Sequence, residues 1–354
     1  MPEKVPVFNF LPTCIGSVPF KDVNATCRTI LDNLPLMPFW PQFVNRSYME
    51  DMIVQFSEGL PLLEIREQER TIVASMDGDG MESELVTFYD HFLGEDVDYF
   101  AMSREFAPGL YELVDLMGQL PEKRGAYIKG QVVGPVTFVA SVTDQEGRPL
   151  FHNPDLCEAM VKGLSIKALW QIRKLDIFNR RPVMFLDEPY LSSVGSAFSP
   201  VQRGDVIMML EEVIRYLKER SHALIGVHCC GNTDWSMVIE SGPDIINFDA
   251  FDYMAHFFLY RKEIVRFLEE GGILAWGMVP TANLSGDQSV DTLLSALEKG
   301  LMKICEWGIK REMLFERSIL TPACGMGSMT PGLAQKGMEL LYGLSREIVS
   351  NAGA

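Results

Sequence analysis

Short apolar runs rich in branched residues alternate along this chain with longer stretches whose apolar positions recur every three to four residues, the two periods expected of strands and amphipathic helices. The first kind predicts strands over 5–11, 127–133, 183–186, 224–229, 245–248, 273–278 and 314–320, with an eighth somewhere between 60 and 100. The second predicts helices over 205–220, with Val206, Met209, Leu210, Val213, Ile214 and Leu217 on one face, and over 290–307, with Leu293, Leu294, Leu297, Leu301 and Ile304 aligned. Strands and helices in alternation are the pattern of a parallel α/β fold.

Polar, Gly-rich and Pro-rich residues fall where the expected strands end. They include Cys14-Ile15-Gly16-Ser17, Gly134-Pro135, Asp187-Glu188-Pro189, His228-Cys229-Cys230-Gly231, Asp249, Gly277-Met278-Val279-Pro280 and Cys324-Gly325. In a closed eight-stranded parallel barrel all such ends share one face, where active sites are built. The expected architecture is therefore a single (β/α)8 TIM barrel with an N-terminal extension, one domain over residues 1–354. Two dinucleotide-binding halves fit less well, because Ile15-Gly16-Ser17 offers one glycine where a G-x-G-x-x-G turn needs three.

A formal charge of −17 argues against a nucleic-acid partner and against a polybasic membrane contact. The chain opens on Met1-Pro2-Glu3-Lys4-Val5 without a long apolar stretch, and no later segment reaches the roughly 18 apolar residues of a membrane span. A cytoplasmic location is expected. Seven cysteines, an odd number, suit reduced thiols and metal ligation better than disulfides.

His228 and Cys230 stand two residues apart at the end of an apolar run, so on an extended backbone both side chains point the same way. Cys324, flanked by Ala323 and Gly325 at another strand end, supplies a third donor. One nitrogen and two sulfurs with an open fourth position is a catalytic rather than a structural zinc arrangement, and a thiol bound there is held as thiolate. Cys229, between the two, is expected to face the other way and to act only in packing.

Taken in order and spacing, these stretches resemble the catalytic C-terminal barrel of cobalamin-independent methionine synthase, within the wider group that includes uroporphyrinogen decarboxylase and the methylcobamide:coenzyme M methyltransferases. The likeness runs from Ile15-Gly16-Ser17 to Cys324-Gly325. It implies one Zn²⁺ per chain held by His228, Cys230 and Cys324, the catalytic residues, with Asp249 where that family carries a Glu. The shorter Asp249 is either the fourth ligand or an acceptor beside it. The resemblance further implies that Ile15, Gly16 and Ser17 contact the carboxylate of homocysteine and that Asp187 receives its ammonium group. Both assignments make physical sense, since turn N–H groups favour an anion and a carboxylate favours an ammonium.

Departures from the family direct the choice of methyl donor. The chain is about half the length of a full methionine synthase and lacks its N-terminal barrel, and Gly277 to Asn283 holds no His to protonate a folate leaving group. A methyl on cobalt needs no such acid. The expected reaction moves a methyl group from a methylated corrinoid protein or methylcobalamin to the thiolate of homocysteine or a similar small thiol, forming methionine in the first case. Coenzyme M is the alternative thiol, though its sulfonate calls for a cationic pocket and no Asp187. A uroporphyrinogen decarboxylase-like enzyme calls for several Arg near the N-terminus, where the first forty residues hold only Arg28. A corrinoid or metal carrier without turnover is the non-enzymatic alternative. The Pro- and aromatic-rich run from Leu36 to Phe43 and the isolated Trp235 are expected to be structural.

Overall fold

The structure, a computed structural model, describes residues 6–75, 80–120, 125–196, 199–285 and 287–352. Its strands are β1 Leu11–Pro12, β2 Leu63–Arg66, β3 Thr71–Ala74, β4 Tyr127–Val133, β5 Thr143–Asp144, β6 Arg181–Asp187, β7 Leu224–Cys229, β8 Ile245–Phe248, β9 Ile273–Val279 and β10 Ser318–Pro322. Seven of them form a curled sheet in the order β1-β10-β9-β8-β7-β6-β4, every pairing parallel. Alternation along these strands divides the core. Tyr127, Val183, Phe185, Leu224, Ile245, Ile273 and Ile319 pack together on the concave side, and Met184, Leu186, Val227, Ile246, Phe248 and Trp276 join the larger core under the helices.

The segment between residues 36 and 42 spans the opening between the edge strands. The carbonyls of Leu36 and Pro38 accept from Tyr127 and Lys129 N–H of β4 at 3.4 and 2.8 Å, while Gln42 N–H donates to Gly16 O at 3.0 Å and its carbonyl accepts from Val18 N–H at 2.9 Å. Prolines at 35, 38 and 41 lack the N–H that a full ladder needs, so the segment bridges both edges without becoming a strand. The expected eighth strand between 60 and 100 is thereby corrected. Strands β2 and β3 do lie there, but they pair antiparallel with each other and, with β5, form a separate three-stranded sheet.

Two further expectations need revision. Val5 lies outside the described residues, and in the rest of the expected first strand Asn9 and Phe10 take φ of 48° and 57°, so only Leu11–Pro12 pairs as strand. The expected strand over 314–320 is in part a helix, Arg311–Glu316, and the sheet resumes at Ser318. The strands expected over 127–133, 224–229 and 245–248 are observed with those bounds. No helix among the described residues is long and apolar enough to cross a membrane.

One buried cation in the supporting layer gives a direct stability test. Lys167, on the helix Pro154–Leu175, is fully buried and donates to Phe100 O at 3.1 Å. Burial lowers its pKa from 10.5 to about 8, with Glu58 opposing. Below pH 8 the group is charged in both folded and unfolded chains, and the full cost of burying the charge is present, about 3 kcal/mol. Between pH 8 and 10.5 the folded state releases a proton that the unfolded state keeps, so stability rises with pH. Lys167→Met removes that cost and leaves Phe100 O unpaired, at about 1–2 kcal/mol. The variant is expected to be about 1 kcal/mol more stable than wild type in urea denaturation at pH 7. Its advantage should vanish and then reverse as pH rises toward 10; a difference independent of pH would contradict this reading.

Candidate metal centre

The chemistry-bearing residues meet at the C-terminal ends of the strands. Register places Asp187 of β6 beside His228 of β7, and His228 beside Asn247 of β8, so the three lie level across three adjacent strands and all point inward. Cys230 follows the end of β7, and Cys324 follows β10 after its register shift at Thr321/Pro322. The ligand atoms of His228, Cys230 and Cys324 all fall within 4.8 Å of one another. Cys229 is fully buried and packs in the outer core, as strand alternation requires.

Electrostatics couple the three donors. A hydrogen bond from the Cys324 thiol, aided by His228, holds the Cys230 thiol well below its ordinary range against the effect of burial. The same bond pushes Cys324 upward. Burial opposes charge on His228, yet the hydrogen bond and charge of Cys230 lift its pKa above the ordinary value, with smaller help from Asp187 and Asn247. One soft nitrogen and two sulfurs, one of them favoured as thiolate, are a donor set that suits Zn²⁺. His228 Nδ1 lies 2.5 Å from Asn247 Oδ1, which leaves Nε2 as the ring nitrogen available to a metal.

A pocket of about 320 Å³ opens over this cluster, lined by Ile15, Ser17, Asp187, His228, Cys230 and Cys324 among others. Asp187 is 7% exposed, its Oδ1 has no hydrogen-bond partner among the described residues, and burial raises its pKa to about 6 although Lys129 and His228 pull it down. As a lining residue with a charged side chain, Asp187 offers a carboxylate to a bound cation. Ser17 is tied to the Cys324 loop: Gly327 N–H donates to its Oγ at 3.3 Å and Met326 N–H to its carbonyl at 3.0 Å. Among the described residues no acceptor takes the Ser17 N–H. Gly16 is not a lining residue but a spacer. A Cβ there would collide with Gln42 Oε1 and Gln131, so glycine lets the turn pack against these two side chains. Lys129, wholly buried beneath the turn, donates to Ile15 O at 2.5 Å and to Gln131 Oε1 at 3.1 Å.

Asp249 stands apart from the three donors. It is not among the residues whose ligand atoms cluster, and its Oδ1 accepts from Asp252 N–H at 2.9 Å, with burial raising its pKa to about 6. Glu188 also turns away from the pocket. Its carboxylate accepts from Val136 N–H, Thr137 N–H and Thr137 Oγ1 at 2.9, 2.7 and 2.6 Å, locking the β6 end onto the Gly134-Pro135 turn.

The sequence reading missed the wall opposite the metal cluster. Gln42, Val44, Asp51 and Met52 line the pocket. Gln42 sits at the end of the run from Leu36 to Phe43 that was expected to be structural, and its Nε2 donates to Gln55 Oε1 at 2.6 Å. A polar residue between Pro41 and Phe43 at the end of an apolar run was the available signal. Trp235 is buried against Phe248 and Phe257, in agreement with a packing role.

No protein-family model matches the chain, and no curated protein matches it in sequence. Among solved structures it is similar to a B12-independent methionine synthase from Shewanella sp. W3-18-1, determined in complex with selenomethionine. The TM-score is 0.61 over 97% of this chain and 98% of that one, at 15% identity. At that identity the likeness establishes the fold: a curled parallel sheet flanked by helices, with strand ends gathered around one pocket.

Proposed function

We propose that this protein is a zinc-dependent thiol S-methyltransferase that moves a methyl group from a methylated corrinoid to the sulfur of homocysteine. The observation that carries the reading is the convergence of His228, Cys230 and Cys324 within 4.8 Å beside the unpaired carboxylate of Asp187. His228, Cys230 and Cys324 would hold the metal, with Asp249 acting on its surroundings from the next strand. Bound there, Zn²⁺ supplies Lewis acidity that keeps a substrate thiol ionised near neutral pH.

The remaining work falls to the chain. Asp187 receives the substrate ammonium group, and the Ile15-Gly16-Ser17 turn, braced from below by Lys129, presents N–H groups to its carboxylate. These two anchors aim the sulfur at the open mouth, where the thiolate attacks the methyl carbon in line. The S–C bond forms as the Co–C bond breaks with its electron pair leaving on cobalt, so no acid is required at the leaving group. Positioning of the small thiolate against a large corrinoid donor is then the main catalytic demand.

Among the described residues no Lys or Arg lines the pocket, which disfavours the sulfonate of coenzyme M and the polycarboxylate of a uroporphyrinogen decarboxylase. The test pairs metal analysis with a spectrophotometric assay of methylcobalamin demethylation. About one zinc per chain and loss of the methylcobalamin spectrum dependent on homocysteine are expected. Zinc-free protein, or demethylation equally fast with coenzyme M, would overturn the assignment.

A further inference from the structure

We infer that Asn247 is a positioning residue that fixes the His228 ring with its proton on Nδ1, leaving the Nε2 lone pair for the metal; this rests on the zinc reading above. Asn247 is wholly buried on β8, level with His228 in the β7–β8 register. Its amide orientation is determined by two neighbours. Nδ2 donates to Ala275 O at 2.9 Å and to Thr321 Oγ1 at 2.8 Å. Ala275 O can only accept, so a flipped amide would set two lone pairs against each other in a dry site. The Oδ1 atom must therefore face His228, at 2.5 Å, and an oxygen acceptor there requires Nδ1 to donate. A neutral imidazole with hydrogen on Nδ1 has its lone pair on Nε2.

The arrangement joins three strands to one ligand. Backbone of β9 and a hydroxyl of β10 orient an amide of β8, which orients an imidazole of β7. Asn247 touches neither substrate nor metal. Its action is to remove the wrong tautomer and the free rotation of the ring before the metal arrives, and partners of this kind commonly change metal affinity by about 10- to 100-fold.

Zinc affinity of the full chain, measured by competition with a chromophoric chelator, together with the visible spectrum of the Co²⁺-substituted protein, tests the inference. Asn247→Leu keeps the branched shape and removes the acceptor. It is expected to bind zinc roughly 10- to 100-fold more weakly and to lose intensity in the cobalt bands, with a lower melting temperature because Ala275 O and Thr321 Oγ1 lose their donor. Asn247→Asp keeps the acceptor for Nδ1 and, with its other oxygen protonated, a donor to Ala275 O, and is expected to bind zinc more tightly than Asn247→Leu. If Asn247→Leu does not fold, Asn247→Ser takes its place, since its hydroxyl is too short to reach Nδ1. Wild-type affinity in the Leu or Ser variant overturns the positioning role alone, as does equal weakening in the Asp variant. Absence of zinc binding in the wild type overturns the metal reading with it.

Discussion

Cys230→Ser and Cys324→Ser are each expected to strip zinc from the purified protein and to lower thiol-dependent demethylation at least about 100-fold, the larger of the effects ascribed even to residues that only support a metal ligand. Three protein donors fall within 4.8 Å of one another, so removing one leaves two, too few to hold Zn²⁺ at a site with an open position. A serine hydroxyl is a poor substitute, because near neutral pH it does not ionise as the thiol does. The two variants should be alike in effect although their thiols differ in the metal-free protein, Cys230 favoured as thiolate and Cys324 as thiol. Cys229→Ala is the control. That thiol is buried in the outer core one residue from each ligand of the His228-x-Cys230 pair, and its loss should leave metal content and rate unchanged. Full zinc content in Cys324→Ser would remove the distant cysteine from the site. A Cys229→Ala protein as inactive as Cys230→Ser would show that the strand faces had been assigned the wrong way round.

How much of this was legible in the chain depends on which physical signal was local. The buried strands β4, β7 and β8 were readable because their apolar runs are followed within two residues by Gly134, Gly231 and Asp249, residues common where strands end, although Gly130, Gly226 and Asn247 lie inside them. The same alternation placed His228 and Cys230 on one face and Cys229 on the other. Cys324 was readable as a donor from its Gly-flanked place at a strand end and from the resemblance, and its approach to Cys230 depends on a curvature of the sheet that no local pattern reports.

The failures share a cause. The segment from Leu36 to Gln42 takes a place beside β4 through the carbonyls of Leu36 and Pro38 and a bridge at Phe39, and its prolines erase the strand signature that would have revealed it. The eighth strand, expected only somewhere between 60 and 100, falls where β2 and β3 pair with each other outside the seven-stranded sheet. With the segment misjudged, Gln42 was lost from the site, and Asp51 and Met52 with it. The Asn247 side chain likewise carried no readable signal, because its meaning lies in partners 19, 28 and 74 residues away.

Asp187→Asn is expected to raise the KM for homocysteine about 10- to 100-fold while kcat changes far less, the loss corresponding to one charge-assisted hydrogen bond of about 1.5–3 kcal/mol. The carboxylate has one oxygen with no partner, is nearly wholly buried, and lines the pocket within the influence of His228 and Cys230. A carboxylate that lines the pocket gains a partner when a ligand N–H reaches it, so the interaction belongs to binding rather than to the transition state. The amide keeps the shape and an acceptor but loses the charge, and its NH₂ repels an ammonium group. Folding should tolerate the change, because burial already disfavours the ionised carboxylate, as its pKa of about 6 records. A thiol of the same length without an amino group separates recognition from chemistry. It should react poorly with wild type and no worse with Asp187→Asn. An unchanged KM for homocysteine in the variant would remove Asp187 from substrate binding and turn attention to Asp51 on the opposite wall. A fall in kcat with KM unchanged would instead make Asp187 a partner of His228, its neighbour in the β6–β7 register.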